Sequence, residues 1–208
     1  MTPARRWGCR LVLPAICLAG GVWLEAEQAS RPTTGRRTAT EVVCASDLGP
    51  GLKTQRRFCD VLIATTAGES VSMRIPPRTG DATLQFDLHN RFVVPATADL
   101  AQAFTRHTAV VSVIRPTGEV IDRAAVSRDY RTLADLFDRL SGGRGAPPKS
   151  IAPGQALGIR VTVPPGIASI GIVGTRLEEW RANSRGTWDS PGRPIAIVSN
   201  LRIEYTLR

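Results

Sequence analysis

Asp87 and His89 are the two residues whose types and spacing could support chemistry at neutral pH. They lie two positions apart in a stretch that alternates apolar and polar residues, so in a β-strand both side chains would point to one face. A carboxylate beside an imidazole can hold a metal ion with a third ligand, or can move a proton. We expect this face to be exposed to solvent. The simpler interpretation is that both are ordinary polar residues of an exposed sheet face.

A second candidate group lies around two tryptophans in the C-terminal third of the chain. Trp180 and Trp188 flank a polar segment that contains Asn183 and Arg185. Exposed aromatic rings can stack on a sugar ring while the polar side chains bind hydroxyl groups, so these four residues predict a carbohydrate-binding site. Because most tryptophans are largely buried, the alternative is that both rings pack a loop onto the domain.

The common catalytic motifs are absent from the sequence. It contains no Gly-x-Ser-x-Gly, no His-Glu-x-x-His, no phosphate-binding loop and no calcium loop. Glu178 and Glu179 are adjacent, so on a strand they would face opposite ways and would not flank one sugar bond. No sequence neighbour of His107 indicates a role for it. We therefore assign no catalytic residue and no cofactor, and the sequence favours a protein that is not an enzyme.

The elements that would position these residues are mostly short strands. Apolar segments separated by glycine and proline run from residue 58 to the C-terminus, which is typical of an all-β domain. The clearest period of two lies at Leu84, Phe86 and Leu88, which we expect to face the core. Residues 108–114 and 119–126 form a predicted hairpin.

One helix is predicted between the strands. An apolar stripe over residues 133–140 follows a capping box at Thr132 and Asp135, and Gly142 would end the helix. A single helix cannot cover both faces of a parallel sheet, so the strands are expected to be antiparallel. The sequence therefore predicts a mainly β fold: a two-sheet antiparallel β-sandwich, jelly-roll or immunoglobulin-like, with one inserted short α-helix.

The first residues are typical of a secretory signal. A basic start precedes an uncharged run over 11–24 that is too short for a membrane-spanning helix. We predict a signal peptide over 1–29, a flexible leader over 30–43 and a single domain over 44–208, with no stable membrane span after cleavage. The mature chain would keep Cys44 and Cys59, which predicts a disulfide in the periplasm or outside the cell.

The charge of the chain is positive but dispersed. The chain has 27 Lys and Arg residues against 18 Asp and Glu residues, and only Lys53 and Lys149 are lysines. The arginines form no basic helix and alternate with no aromatic stripe. Nucleic acid is therefore not an expected partner.

Two stretches carry a resemblance: residues 83–91 (TLQFDLHNR) and residues 191–205, which begin PGRPI. They resemble segments of uncharacterised exported bacterial proteins with β-sandwich folds, a resemblance that implies no activity and no site residue. We expect an exported, non-catalytic binding or interaction module whose partner is a protein or glycan of the cell envelope. The alternatives are a carbohydrate-binding module using Trp180 and Trp188, and a hydrolase or metal-dependent enzyme centred on Asp87 and His89.

Overall fold

The computed structural model describes residues 36–39, 41–94, 105–141 and 147–206. The predicted signal peptide, 1–29, lies outside these ranges. The strands are β1 (Arg36–Ala39), β2 (Val42–Cys44), β3 (Asp47–Pro50), β4 (Arg57–Leu62), β5 (Val71–Arg74), β6 (Thr79–Val93), β7 (Thr105–Ile114), β8 (Val120–Tyr130), β9 (Ile151–Pro153), β10 (Leu157–Val163), β11 (Ser169–Arg181), β12 (Arg185–Trp188) and β13 (Pro194–Thr206).

The strands form two antiparallel sheets. Sheet A has the order β10-β6-β13-β4-β3, with β1 paired to β13 and β9 paired to β6. Sheet B has the order β2-β5-β11-β7-β8, with β12 paired to β11. The predicted hairpin over 108–126 is confirmed as β7 and β8. The prediction of a two-sheet antiparallel β-sandwich is therefore confirmed.

The main core lies between the two sheets. Leu84, Phe86 and Leu88 of β6 are buried there, as their period of two predicted. Opposite them lie the apolar side chains of sheet B, among them Val111, Val126 and Ile172. Burying such side chains against each other contributes about 1.5–3 kcal/mol each, which makes this interface the main source of stability.

The segment assigned to a leader contributes two strands. β1 pairs with β13 in sheet A, and β2 pairs with β5 in sheet B. The domain therefore begins N-terminal to the predicted boundary at residue 44.

The predicted disulfide between Cys44 and Cys59 is confirmed, with a Cα–Cα distance of 5.8 Å. Because Cys44 ends β2 and Cys59 lies in β4, this bond joins sheet B to sheet A.

The predicted helix over 133–140 is wrong. A single 3-10 turn, Leu133–Asp135, follows the capping box at Thr132, and Leu136 is already extended at φ −81° and ψ 138°. The next backbone N–H makes its hydrogen bond outside the segment: Phe137 N–H donates to the carbonyl of Pro153. Among the described residues no helix is long and apolar enough to cross a membrane. The capping box is present, but it caps one turn only.

The apolar residues of this segment cover the outer face of sheet A. We call residues 132–141 the strap. Leu140 is buried in a small second core with Leu48, Phe58 and Ile197, and Phe137 packs against the same cluster. An extended strap can place these side chains on a sheet as well as a helix can, so the apolar spacing alone did not distinguish the two structures.

Asp138 attaches the strap to the turn that precedes β4. Its carboxylate accepts hydrogen bonds from the Lys53 N–H at 2.9 Å, the Thr54 N–H at 2.8 Å and the Thr54 hydroxyl at 2.6 Å. Burial raises the pKa of Asp138, but these bonds outweigh burial and hold the pKa below its usual value of 3.8. The charged carboxylate is therefore the form that the fold stabilises.

We expect Asp138→Ala to lower the free energy of unfolding by about 1–3 kcal/mol, because it removes the charged acceptor of three hydrogen bonds from Lys53 and Thr54. Urea unfolding at neutral pH measures this effect. Asp189→Ala is the matched control, since Asp189 is an exposed carboxylate with no partner within the described residues. Equal stability of the two variants would contradict the anchoring role of Asp138.

A candidate ligand-binding cleft at one end of the sandwich

Asp87 and His89 do not form a common site. His89 is fully buried under the strap, where its ring lies 5.0 Å from Phe137 between centroids, so the predicted solvent exposure is wrong. Its Nδ1 lies 2.8 Å from the carbonyl oxygen of Gly154, and its Nε2 lies 2.9 Å from the Ser199 hydroxyl. A carbonyl only accepts, so Nδ1 donates and Nε2 accepts. Both ring nitrogens are thus occupied by the protein itself.

The Asp87 carboxylate has its own partners on the outer side of sheet A. Arg56 donates to it at 2.8 Å, and the Asn200 side chain donates at 3.4 Å. The described residues hold no group of three or more His, Cys, Asp or Glu side chains that could bind a metal ion. The strap buries His89, whereas the Asp87 side chain is half-buried and is held by Arg56 and Asn200.

The polar segment that the two tryptophans flank lies in a hairpin formed by β11 and β12. Trp180 is 42% exposed, and the Arg185 guanidinium lies over its ring at 4.1 Å from the centroid. Trp188 packs partly into the core, and Arg193 lies 4.5 Å from its ring centroid. Asn183 is exposed at the tip of the hairpin. Of the two rings, Trp180 is the one that presents a large surface to solvent.

A cleft of about 420 Å³ opens between the two sheets at one end of the sandwich. It is bounded by the C-terminal ends of β6, β8 and β11 and by the N-terminal ends of β7 and β13. Its size lies within the range of small-molecule sites. Its polar lining consists of Arg91, Thr105, His107, Tyr130, Glu179, Arg181 and Arg193.

A buried ionisable pair lies in the wall of this cleft. His107 of β7 and Glu179 of β11 are directly opposite each other, and His107 Nε2 lies 3.2 Å from Glu179 Oε2. The other carboxylate oxygen, Oε1, accepts a hydrogen bond from Arg181 Nε. Both oxygens of Glu179 are therefore adjacent to a nitrogen-bearing group.

The protonation of His107 follows from its second nitrogen. Nδ1 lies 3.0 Å from the carbonyl oxygen of Arg91, so Nδ1 carries a proton. Burial lowers the pKa of His107 below 6.5, although the charge of Glu179 opposes this effect. Nε2 makes no aligned hydrogen bond within the described residues. In neutral His107, Nε2 is therefore an acceptor without a donor.

Tyr130 supplies a second polar atom without a partner. Its side chain is 2% exposed, and its hydroxyl makes no hydrogen bond within the described part of the chain. The Phe92 ring contacts both rings, at 5.1 Å from Tyr130 and 5.2 Å from His107 between centroids. Buried polar atoms nearly always have a partner, so a hydroxyl in a cleft wall indicates a place for a water or a ligand atom.

The charges around the cleft leave one arginine available. Arg91 donates to Asp60 at 2.9 Å, and Arg181 donates to Glu179. Arg193 stacks on Trp188 and has no carboxylate partner among the described residues. An unpaired guanidinium in a partly enclosed site favours an anionic ligand.

No family model matches this chain, and no curated protein matches it. Among solved structures it is similar to the T13 viral particle of IBDV, at 12% identity and a TM-score of 0.29, over 94% of this chain and 36% of that chain. It is also similar to the infectious bursal disease virus VP2 subviral particle, at 13% identity and a TM-score of 0.27, over 94% of this chain and 42% of that chain. The chain therefore spans less than half the length of either. At these TM-scores neither similarity bears on the function of this chain.

The cleft was not found from the sequence because its residues are far apart in the chain. His107, Tyr130, Glu179 and Arg193 come from four strands or their ends. The expectation that Glu178 and Glu179 face opposite ways agrees with the structure, where only Glu179 lines the cleft. One feature of the sequence could have indicated the cleft: alternate residues of a strand lie on the same face, and Leu177, Glu179 and Arg181 share a face of β11.

Proposed function

We propose that the protein is an exported, non-catalytic binding module that holds a carboxylate-bearing group of an envelope component in the end cleft. The observation that carries this proposal is Tyr130, a residue of the cleft wall whose buried hydroxyl has no partner in the described chain. The hydroxyl can donate to a carboxylate, and Arg193 can neutralise its charge. A hydroxyl group on the same ligand would supply the donor that His107 Nε2 lacks.

Export is supported by two independent features. The disulfide between Cys44 and Cys59 is typical of proteins in oxidising compartments. The basic start and the uncharged run over residues 11–24 are typical of a secretory signal. An exported module would meet acidic polymers of the envelope, which are ligands that an arginine-rich surface favours.

The state of Glu179 supports binding more than catalysis. Each of its oxygens lies beside a nitrogen group, of His107 on one side and of Arg181 on the other. Both oxygens therefore lie against groups of the protein itself. Its role in the proposal is to hold Arg181 in the cleft wall.

The proposal is tested by titration calorimetry with digalacturonate, its neutral counterpart digalactose and a tetraglutamate peptide. We expect an acidic probe to bind and digalactose not to bind. Tyr130→Phe removes only the hydroxyl, and Arg193→Gln removes only the charge, so each should weaken binding about 10- to 100-fold, as expected for a bond to a charged group. Binding of digalacturonate alone would indicate a glycan ligand, and binding of the peptide alone a protein partner.

Arg74→Gln is the matched control, because Arg74 is exposed on β5 and lies outside the cleft. It changes the net charge as Arg193→Gln does and should leave the affinity unchanged. The proposal is wrong if neither acidic probe binds, or if the acid binds wild type and both cleft variants equally.

Carbohydrate binding at the hairpin is the second candidate function, and the exposed ring of Trp180 supports it. In the same titration, binding of digalactose that is lost in Trp180→Ala and kept in Tyr130→Phe would favour the hairpin over the cleft. The Arg185 guanidinium already covers one face of that ring, which leaves the other face and the edges for a sugar.

A further inference from the structure

β8 is the last strand of sheet B and has one open edge. It pairs with β7 along its length, and its other side has no strand partner within the described chain. It is 11 residues long and contains no proline. A long open edge can pair with another strand unless charge or geometry prevents it. The sequence of β8 decides which partner would fit.

Two copies of one strand can pair only in certain registers. In an antiparallel ladder, opposite residues either both direct their backbone N–H and C=O groups at the partner strand or both direct them away. These two orientations alternate along a strand. An even-numbered residue must therefore face an even-numbered residue of the other copy, and an odd-numbered residue an odd-numbered one, so the two-fold axis passes through a residue of β8.

One pair of opposite charges in β8 lies at equal distances from Ala125, the central residue of the strand. Asp122 lies three residues before Ala125 and Arg128 lies three residues after it. With the axis at Ala125, each Asp122 faces Arg128 of the partner subunit, and residues 122–128 of the two copies pair in a regular ladder. Ile121, which has no partner in β7, marks a bulge that ends this regular part of β8. Opposite charges directly across a ladder stabilise the pairing. An axis at Asp122 or Arg128 would instead place like charges opposite each other.

Existing ion pairs favour this register over the neighbouring one. An axis at Val126 would place Arg123 opposite Asp129 of the partner subunit. Asp129 already binds Arg106 at 2.7 Å and Arg131 at 3.1 Å. Asp122 and Arg128 are both exposed and have no ion-pair partner among the described residues. The Ala125 register therefore joins Asp122 to Arg128, two residues that no existing ion pair occupies.

The other edges of the sandwich are less suited to self-pairing. β10, at the edge of sheet A, has Arg160 at its centre, so full-length symmetric pairing would oppose two arginines. β2 and β3, the remaining ends of the two sheets, have only three and four residues. We propose that two copies of this protein form a dimer by antiparallel pairing of their β8 edges, with Ala125 on the two-fold axis.

The test is sedimentation equilibrium of the disulfide-bonded protein over a range of concentrations. Wild type should double in mass as its concentration rises. Arg128→Asp and Asp122→Arg should each weaken the dimer roughly 10- to 100-fold, since each places like charges opposite each other twice. The double variant, Asp122→Arg with Arg128→Asp, restores opposite charges and should dimerise within about threefold of wild type. Salt should weaken the wild-type dimer.

Arg123→Asp distinguishes the register. Arg123 faces Ser127 of the partner subunit in the Ala125 register, so this variant should dimerise as wild type does. Loss of the dimer in Arg123→Asp would contradict the register. A monomeric wild type at every concentration would overturn the dimer, as would a folded double variant, checked by circular dichroism and melting, that fails to recover it.

Discussion

Replacing both Cys44 and Cys59 with alanine is expected to lower the free energy of unfolding by about 3 kcal/mol. The bond closes a loop with a sequence separation of 15 residues, and in the chain-entropy model such a loop contributes about this amount by restricting the unfolded chain. In a domain of this size that loss corresponds to a melting temperature lower by roughly 6–12 °C. Urea unfolding and thermal melting of the oxidised protein measure both quantities.

Because of its position, removal of this disulfide is expected to loosen one particular strand. The bond ties β2, a three-residue strand of sheet B, to β4 of sheet A. A strand this short makes few ladder hydrogen bonds, so we expect β2 to exchange its amide hydrogens faster in the variant. Hydrogen exchange therefore shows whether the loss of stability is concentrated in β2.

Reduction supplies the control for the alanine variant. Dithiothreitol should destabilise wild type by the same amount and leave the double alanine variant unaffected. If the oxidised and reduced forms of wild type unfolded at the same urea concentration, the assigned contribution of the disulfide would be wrong.

Strand β6 illustrates how far the sequence alone determines the fold. The period of two at Leu84, Phe86 and Leu88 predicted the core face of this strand, and the structure confirms it. The same period placed His89 on the opposite face and therefore in solvent. The opposite face is correct, but the strap covers it there, and a local pattern contains no information on which distant segment covers an outer face.

The strap shows why the helix prediction was wrong. Its apolar residues follow helical spacing over only two turns, and isolated helices of that length are marginal without tertiary support. Here Phe137 and Leu140 pack into the second core from an extended backbone. The capping box at Thr132 was a correct local signal, but capping stabilises one turn and does not determine how far a helix continues.

The cleft depends on register, which a single sequence does not determine. His107 faces Glu179 because β7 and β11 are neighbours in sheet B and pair in one particular register. A shift of one residue would turn Glu179 to the outer face. The sequence shows that His107 and Tyr130 are polar, but only the order of the strands in the two sheets brings them to the same cleft as Arg193.

Acidification below pH 6.5 is expected to destabilise the protein through His89 by up to about 1.4 kcal/mol per pH unit. Burial lowers the pKa of His89 below 6.5; the bond to Gly154 and the charge of Asp87 oppose this shift, and the charge of Arg56 adds to it. The unfolded chain therefore binds a proton that the folded protein does not. The stability from neutral His89 is complete above pH 6.5 and is lost as the pH falls toward the pKa of the folded state.

The measurement compares the free energy of unfolding of wild type and His89→Gln from pH 8 to pH 5. Gln can still bond Gly154 and Ser199 but does not titrate, so the variant should lose less stability on acidification. His107 contributes a shift in the same direction to both proteins, and it cancels in the difference between them. The gap between the two proteins should shrink below pH 6.5, because only wild type must protonate His89 on unfolding. Parallel curves would show that His89 titrates normally in the folded state, and its burial under the strap would then not hold in solution.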